Sequence, residues 1–218
     1  MKIVTWNIAA LPTLVNSYGN PHFRIKDIIR YLKSLNADII LLQEVFLKKI
    51  VYKIKKSLEK KYDIFLDRSC PKGKFICSGL LILVLKKKMK IRNVCFYPYK
   101  KASGEDKYAN KGFLVLDCDN LKIINTHLNA NAIFSTKNRC IRARNKQIGE
   151  VYHYYKNCDK TCVLGGDFNM KNLSFDRCVN ENIDYIFYNG DQKLKKKVIL
   201  THASDHPILI CDVNCFKS

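Results

Sequence analysis

The feature that most constrains this chain is a recurring pair: a short apolar run, then a polar residue at its end that can do chemistry. Lys2 to Ile8 carries Asn7, Ile39-Ile40-Leu41-Leu42 leads to Glu44, and Lys122 to Asn125 leads to His127. Val163-Leu164-Gly165-Gly166 leads to Asp167 and Asn169, while Asp205 and His206 precede Pro207-Ile208-Leu209-Ile210. Short continuous apolar runs bounded by turn signals read as strands buried on both faces. Strands of one sheet deliver their ends to a common rim, so these polar residues can meet in one cleft.

Between these runs the period changes. Ile25, Ile28, Ile29, Leu32 and Leu35 recur at helical spacing, which predicts an amphipathic helix over 23–35. Val45, Ile50, Ile54 and Leu58 predict a second helix, with Lys48, Lys49, Lys53, Lys55 and Lys56 on its outer face. A polar, basic helix is expected over 136–155. Further strands are expected at 64–66, 80–85, 91–96, 113–118, 121–125, 162–164, 183–187 and 207–213, with Asp119-Asn120 as a tight hairpin turn. The chain shows no repeat or linker, and 218 residues suit one domain, 1–218. Helices flanking many strands predict an α/β sandwich: two sheets packed face to face with helices outside.

Charge and cysteine content narrow the partners. Lys and Arg number 39 against 19 Asp and Glu, a formal charge of +20 that favours nucleic acid, acidic membranes or phosphorylated metabolites. The same lysines, scattered in short runs such as Lys86–Lys88 and Lys195–Lys197, equally fit a solvated surface. The ten cysteines contain no CxxC pair, and Cys158 and Cys162, spaced i,i+4, lack the set of His and Cys partners in sequence that would complete a zinc site. They read as buried free thiols in a reducing compartment. No charged-then-apolar leader precedes the first strand, and Leu80–Leu85 is far too short to span a bilayer. The expectation is a cytoplasmic protein, or one peripheral to membranes.

The residue types at the strand ends fit metal-assisted phosphate chemistry. One Glu and two Asp are hard oxygen ligands of the kind Mg2+ takes, and two His and two Asn add a base and donors to phosphate oxygens. Each has an ordinary reading alone. Glu44 is a charged strand end, Asp167 a turn former or cap, His127 a hydrogen-bonded histidine, Asp205-His206 another turn, and Lys111 a loop lysine.

Five motifs in order carry a resemblance: Thr5-Trp6-Asn7, Leu42-Gln43-Glu44-Val45, Thr126-His127-Leu128, Gly165-Gly166-Asp167-Phe168-Asn169 and Ser204-Asp205-His206-Pro207. Together they resemble the signature of the endonuclease/exonuclease/phosphatase superfamily over almost the whole chain. The resemblance implies the four-layered sandwich of pancreatic-deoxyribonuclease-like enzymes, with two mixed, mainly antiparallel sheets face to face and helices outside. Within it the chain is most similar to the neutral sphingomyelinase branch, through 6–12, 42–46, 78–83, 106–114, 126–130, 139–148 and 183–186. Asp106, Lys111 and Gly112 match that branch's Asp…Lys-Gly segment.

The resemblance implies roles. Glu44, with Asn7 beside it, would hold Mg2+, with Mn2+ as the alternative ion. His206 would be the general base, although members of the superfamily have been described with the Asp of the G-D-x-N motif, here Asp167, in that role. Asp205 would orient or stabilise His206. Asp167 and Asn169 would position water and phosphate, and His127 would donate to the phosphoryl oxygen. Asp106, Lys111 and Asn129 would bind substrate.

The implied activity is a magnesium-dependent phosphodiesterase, sphingomyelinase-type at a lipid surface. A nuclease is the alternative, with Lys and Arg of 137–146 following a strand, and an inactive binding protein is a third reading. Two departures bear on lipid access. Met170 to Asn182 is shortened and lacks a Thr-Trp pair, and Asn189 to Ser204 is short and Lys-rich, without room for the apolar hairpin of secreted bacterial relatives.

Overall fold

A computed structural model describes residues 1–11, 18–67, 69–131, 135–173, 175 and 177–214. Pro12, the end of the first resemblance stretch, lies outside them. The strands are β1 (Lys2–Ala10), β2 (Ile39–Val45), β3 (Tyr62–Leu66), β4 (Leu81–Leu85), β5 (Ile91–Pro98), β6 (Gly112–Cys118), β7 (Leu121–His127), β8 (Thr161–Asp167), β9 (Cys178–Glu181), β10 (Asp184–Tyr188), β11 (Lys193–Ile199) and β12 (Ile208–Asn214). The helices are α1 (Pro21–Ser34), α2 (Lys48–Leu58) and α3 (Lys137–Lys156), and a 3-10 turn spans Gly104–Tyr108.

Two six-stranded sheets form, ordered β11-β12-β1-β2-β4-β3 and β5-β6-β7-β8-β10-β9. Only β1–β2 and β7–β8 are parallel among these strand pairs; the others are antiparallel. Strand alternation then sorts the apolar runs between layers. Ile3, Ile39, Leu41, Ile82, Leu116, Ile123, Val163 and Leu209 fill the space between the sheets. Their neighbours Val4, Trp6, Ile40 and Leu42 face Ile25, Ile28 and Leu32 of α1 and Ile50, Ile54 and Leu58 of α2. On the other side Ile124, Leu164, Tyr185 and Phe187 meet Ile148, Val151 and Tyr155 of α3. The expected four layers are present, and burial of both strand faces explains why the runs are uninterrupted.

Local chemistry sets the element ends. Asn20 caps α1, accepting from His22 N at 2.9 Å, and Pro21 opens the helix, where a missing N–H costs nothing. Val45 ends β2 and does not belong to α2, which starts at Lys48. The two Lys-rich or short edge strands β11 and β9 were not expected from the sequence. In β11 four lysines face solvent while Leu194 and Val198 pack inward, so the apolar signal is thin and the charges guard an open edge. All nine described cysteines are free: Cys118, Cys140, Cys162 and Cys211 are buried, whereas Cys70 is exposed.

A polar bridge crosses the apolar space between the sheets near the end where β2 and β7 finish. Gln43 Nε2 donates to Asn125 Oδ1 at 2.7 Å, and Asn125 Nδ2 donates to the carbonyls of Leu42 and Leu81, each at 2.9 Å. The glycine pair of β8 fits the same tight geometry. A Cβ on Gly166, at φ 147°, would lie 1.9 Å from the Thr126 carbonyl oxygen, and one on Gly165 would strike Leu41 of the facing sheet. Only glycine lets β8 lie this close to β7 while ending at Asp167.

Candidate active site

β1, β2, β7 and β8 all end, and β10 and β12 begin, at one edge of the sandwich. That edge gathers Asn7, Glu44, His127, Asp167, Asn169 and His206. Asp167 is the hub. Its Oδ2 accepts from Asn7 Nδ2 at 3.0 Å and lies 3.5 Å from His127 Nε2 and 3.6 Å from His206 Nε2. Its Oδ1 accepts from Asn169 N at 2.8 Å, which holds Asn169 in the left-handed region at φ 50°. Asn169 Nδ2 donates to the Leu128 carbonyl at 3.1 Å. Asn7 is fixed from its other side, where Oδ1 accepts from Ala9 N at 3.0 Å.

His206 is oriented by Asp184, a residue whose role sequence reasoning missed. Its Nδ1 lies 2.8 Å from Asp184 Oδ2. Asp205, expected to orient the imidazole, is instead exposed, with its Oδ1 3.3 Å from Ser204 Oγ. The strand register explains the exchange. Asp184 opens β10 directly opposite Asp167 in β8, so its side chain shares the cleft, whereas Asp205 lies on the connection before β12. Asp184 followed by Tyr-Ile-Phe-Tyr repeats the pattern of an apolar run with a polar end, a signal present in the sequence. Ser204 adds a tie between motifs: its Oγ donates to the Asn7 carbonyl at 2.7 Å and accepts from His206 N at 3.2 Å.

Burial controls the charges. Burial pushes the Glu44 carboxyl up to about 7, the charge of Asp167 adds to this, and a hydrogen bond from Asn7 opposes it. Burial and the Asp184 charge push Asp167 up to about 6 against His206, Asn7 and Asn169 N. Burial would lower His206, but the Asp184 hydrogen bond and the charges of Asp167, Asp184 and Asp205 outweigh it and raise it to about 10. His127 goes the other way: burial, helped by Lys111 and His206, holds it well below its ordinary value and keeps it neutral. Among the described residues neither His127 ring nitrogen makes a hydrogen bond, although Nε2 stands 3.9 Å from Glu44 Oε1.

This donor set fits a divalent cation. Buried carboxylates whose ionisation is opposed, next to a neutral imidazole with open nitrogens, are completed by a positive charge. Ligand atoms of Asp167, Asp184 and His206 lie within 4.8 Å of one another. Because Asp184 and His206 are already bonded to each other, the Glu44 side of Asp167 offers the freer ligands. Glu44 itself holds φ 57°, a strained conformation for a residue with a Cβ, of the kind that accumulates at functional positions.

The three expected substrate-binding residues separate. Lys111 is buried, not a surface lysine; its Nζ donates to the Leu128 carbonyl at 3.2 Å and pairs with Asp106 Oδ1 at 3.3 Å. Asp106 Oδ2 accepts from Ala130 N at 2.7 Å. Lys111 and Asn169 therefore share one carbonyl, which brings Lys111 to the cleft wall. Asn129 does not reach the cleft. It is fully buried, its Oδ1 accepts from Ser103 N at 2.7 Å and its Nδ2 donates to the Ala130 carbonyl at 2.7 Å. Its side chain is committed to backbone.

Arg24 is a second residue the sequence did not flag. From the first turn of α1 it donates to the carbonyls of Ile8 at 3.1 Å, Ala203 at 2.6 Å and Ala9 at 2.6 Å. It clamps the end of β1, just past Asn7, to the connection that carries His206.

A sequence profile described as the Endonuclease/Exonuclease/phosphatase family matches residues 4–206. No curated protein matches the chain by sequence. Among solved structures, a beta toxin variant from Staphylococcus aureus with bound magnesium ions superposes with a TM-score of 0.79 at 18% identity, covering 98% of this chain and 99% of that one. Sphingomyelinase C from Streptomyces griseocarneus gives 0.74 at 16% identity over 98% and 99%. TDP2 from Caenorhabditis elegans gives 0.70 at 20% identity over 97% of this chain and 73% of that one. At these identities the likeness is one of fold.

Proposed function

The chain belongs to the endonuclease/exonuclease/phosphatase family, and we propose that it is a Mg2+-dependent phosphodiesterase of the sphingomyelinase type, which cleaves a phosphodiester with an activated water. The observation that carries this reading is the convergence on Asp167 Oδ2 of Asn7 at 3.0 Å, His127 at 3.5 Å and His206 at 3.6 Å, with Glu44 beside them.

Glu44, Asn7 and the near oxygen of Asp167 would hold the ion. Bound there, Mg2+ would withdraw charge from a phosphate oxygen and, by neutralising the carboxylates around His206, return that imidazole toward its ordinary range. His206, held by Asp184, takes the proton of the attacking water at Nε2 as the general base. The arrangement parallels the carboxylate–imidazole pairs that fix a tautomer and stabilise the imidazolium once formed. Asp167, 3.6 Å away, aligns the same water. His127, when it carries its proton on Nε2, donates to the phosphoryl oxygen where charge builds. Lys111, kept in place by Asp106, supplies fixed positive charge at the cleft wall.

The lipid-type reading ranks first because Asp106 and Lys111, the residues that carry the branch resemblance, pair with each other next to Asn169, with Lys111 buried and Asp106 partly so. The likeness to a sphingomyelinase C over nearly the full length of both chains supports it. A nuclease is the second reading, favoured by the charge of +20. Its expected basic track along α3 is thinner than the sequence suggests. Arg144 is buried, donating to the Asn129 carbonyl at 3.0 Å and to Asn131 Oδ1 at 2.9 Å.

The test is release of phosphocholine from sphingomyelin in mixed micelles, run beside cleavage of single- and double-stranded DNA, with EDTA and Glu44→Ala as controls. Release abolished by both controls is the expected outcome. DNA cleavage without release of phosphocholine would replace the lipid reading with the nuclease.

A further inference from the structure

Three large apolar side chains are more than three-quarters exposed among the described residues: Phe23 at 83%, Leu200 at 82% and Phe75 at 79%. They are far apart in sequence, yet the topology puts them at one end. Phe23 lies in the first turn of α1, beside Arg24, whose guanidinium holds Ile8, Ala9 and Ala203. Phe75 lies on the β3–β4 connection, and Leu66 pairs with Leu81 at the end where Leu42 of β2 also pairs with Leu81. Leu200 follows Ile199, which pairs with Ile208 just beyond His206. That end is the one where Asn7, Glu44, His127, Asp167 and His206 meet. A fourth side chain, Tyr108, is 44% exposed and packs on Phe75 with ring centroids 5.5 Å apart.

Basic groups accompany each of them. Lys72 and Lys74 flank Phe75, Lys26 lies one turn past Phe23 and Lys197 precedes Leu200, while Asp27 is engaged by Arg30 at 3.0 Å. Lys107 Nζ sits 4.8 Å from the centre of the Tyr108 ring. Between the 3-10 turn and the start of α3 is a hollow of about 350 Å3, lined by Lys107 and Arg139 with the hydroxyls of Ser103 and Ser135 and one carboxylate, Glu105. Two acidic groups of these connections are engaged within the protein: Asp67 accepts from Ser69 and Asn110, and Asp106 from Lys111 and Ala130. Asp205 remains exposed.

We propose that this catalytic end is a docking surface for an anionic lipid bilayer. Phe23, Phe75 and Leu200 enter the boundary of headgroups and acyl chains, and the surrounding cations meet acidic headgroups. The inference rests on the phosphodiesterase reading and names the surface at which that site meets its substrate. Apolar points within a basic field are what interfacial binding uses, each buried side chain adding to the electrostatic attraction. A nucleic-acid strand fits less well, because stacking needs a run of aromatic faces and Leu200 offers none.

The test is co-sedimentation of the full chain with vesicles of phosphatidylcholine alone and of phosphatidylcholine with phosphatidylserine. Wild type and the triple variant Phe23→Ser/Phe75→Ser/Leu200→Ser are compared, with hydrolysis of soluble bis(p-nitrophenyl) phosphate as the check on fold and site. The wild type should bind the phosphatidylserine vesicles, more weakly at high salt. The triple variant should lose about tenfold or more of that partitioning, on the scale set by burying three apolar side chains, with the soluble activity unchanged. Equal binding by the variant, no binding by the wild type, or binding to DNA in place of vesicles would overturn the proposal. Vesicle binding lost in the variant supports docking even where sphingomyelin-containing vesicles release no phosphocholine; that result would overturn the lipid-substrate reading alone.

Discussion

The two sides of Asp167 differ in how complete they are. On one side His206, Asp184, Ser204 and the connection before β12 form a closed hydrogen-bonded unit, with Asp184 at 2.8 Å and Ser204 Oγ joining His206 N to the Asn7 carbonyl. On the other side Glu44 is largely buried with its ionisation opposed, and His127 has two ring nitrogens without hydrogen bonds among the described residues. The difference teaches which half the chain finishes by folding and which half the proposed reading leaves to an ion. A catalytic imidazole must be held in one orientation before substrate arrives, so its support is built from side chains. A cation supplies its own organising charge, so its ligands can wait in a desolvated, uncompensated state.

The largest expected effects come from the finished side. His206→Asn should lower kcat by about a thousandfold or more, and Asp184→Asn by about a hundredfold to ten-thousandfold, the range seen when an acid–base group or its orienting carboxylate is removed. Mg2+ binding, followed by calorimetry, should persist in both. Loss of Mg2+ binding in Asp184→Asn would break the comparison by making Asp184 a ligand. An Asp205→Asn variant should keep most activity, since that carboxylate is exposed and away from Nδ1.

The unfinished side predicts a pH signature in the apo protein. Glu44 keeps its proton up to about 7 in the fold but loses it at 4.5 when unfolded. Between those values the native state binds more protons, so stability falls as pH rises. The total for this group is about 3 kcal/mol. Asp167 acts in the same sense up to about 6, and His206, raised to about 10, continues the fall above its ordinary value; neutral His127 opposes it at the acid end. Thermal unfolding with and without Mg2+ should therefore show a larger Mg2+ stabilisation at pH 8 than at pH 5. Glu44→Gln should be more stable than wild type at pH 8 without Mg2+ and lose most of the Mg2+ effect. A Mg2+ stabilisation independent of pH, or intact in Glu44→Gln, would place the ion elsewhere.

The same contrast decides what could be read from sequence. Asn7, Glu44, His127, Asp167, Asn169 and His206 were legible because each sits at the end of an apolar run, and the layered fold followed from the alternation of those runs with helical periods. Asp184 shares the pattern, but its pairing with His206 depends on the β8–β10 register, a long-range fact that no local signal carries. Asp205, adjacent to His206 in sequence, was the nearer candidate for that reason. Asn129 is ambiguous for a related cause: an Asn just past a strand end suits a ligand and suits a backbone tie equally well, and the structure ties its side chain to Ser103 and Ala130. β11 was hidden by lysines that serve an edge strand and mask its apolar period.

Arg24 gives the smallest and sharpest test, because it touches both sides at once. Its guanidinium spans the carbonyls of Ile8 and Ala9, beyond Asn7 on the ion side, and that of Ala203, which leads into His206. Ala9 is held at φ 48°, so this end of β1 depends on outside support. A lysine can replace one of these bonds but not the planar fork that makes three. Arg24→Lys should lose about 3 kcal/mol of stability, the worth of two hydrogen bonds from a charged donor at the lower end of their range. kcat should fall severalfold while KM for a soluble phosphodiester changes little, because a shift of the two sides relative to each other affects water attack more than substrate capture. Mg2+ affinity should weaken in parallel with kcat. A fall in kcat at unchanged Mg2+ affinity would mean that Arg24 positions the His206 connection alone, and the two sides would then be coupled only through Asp167.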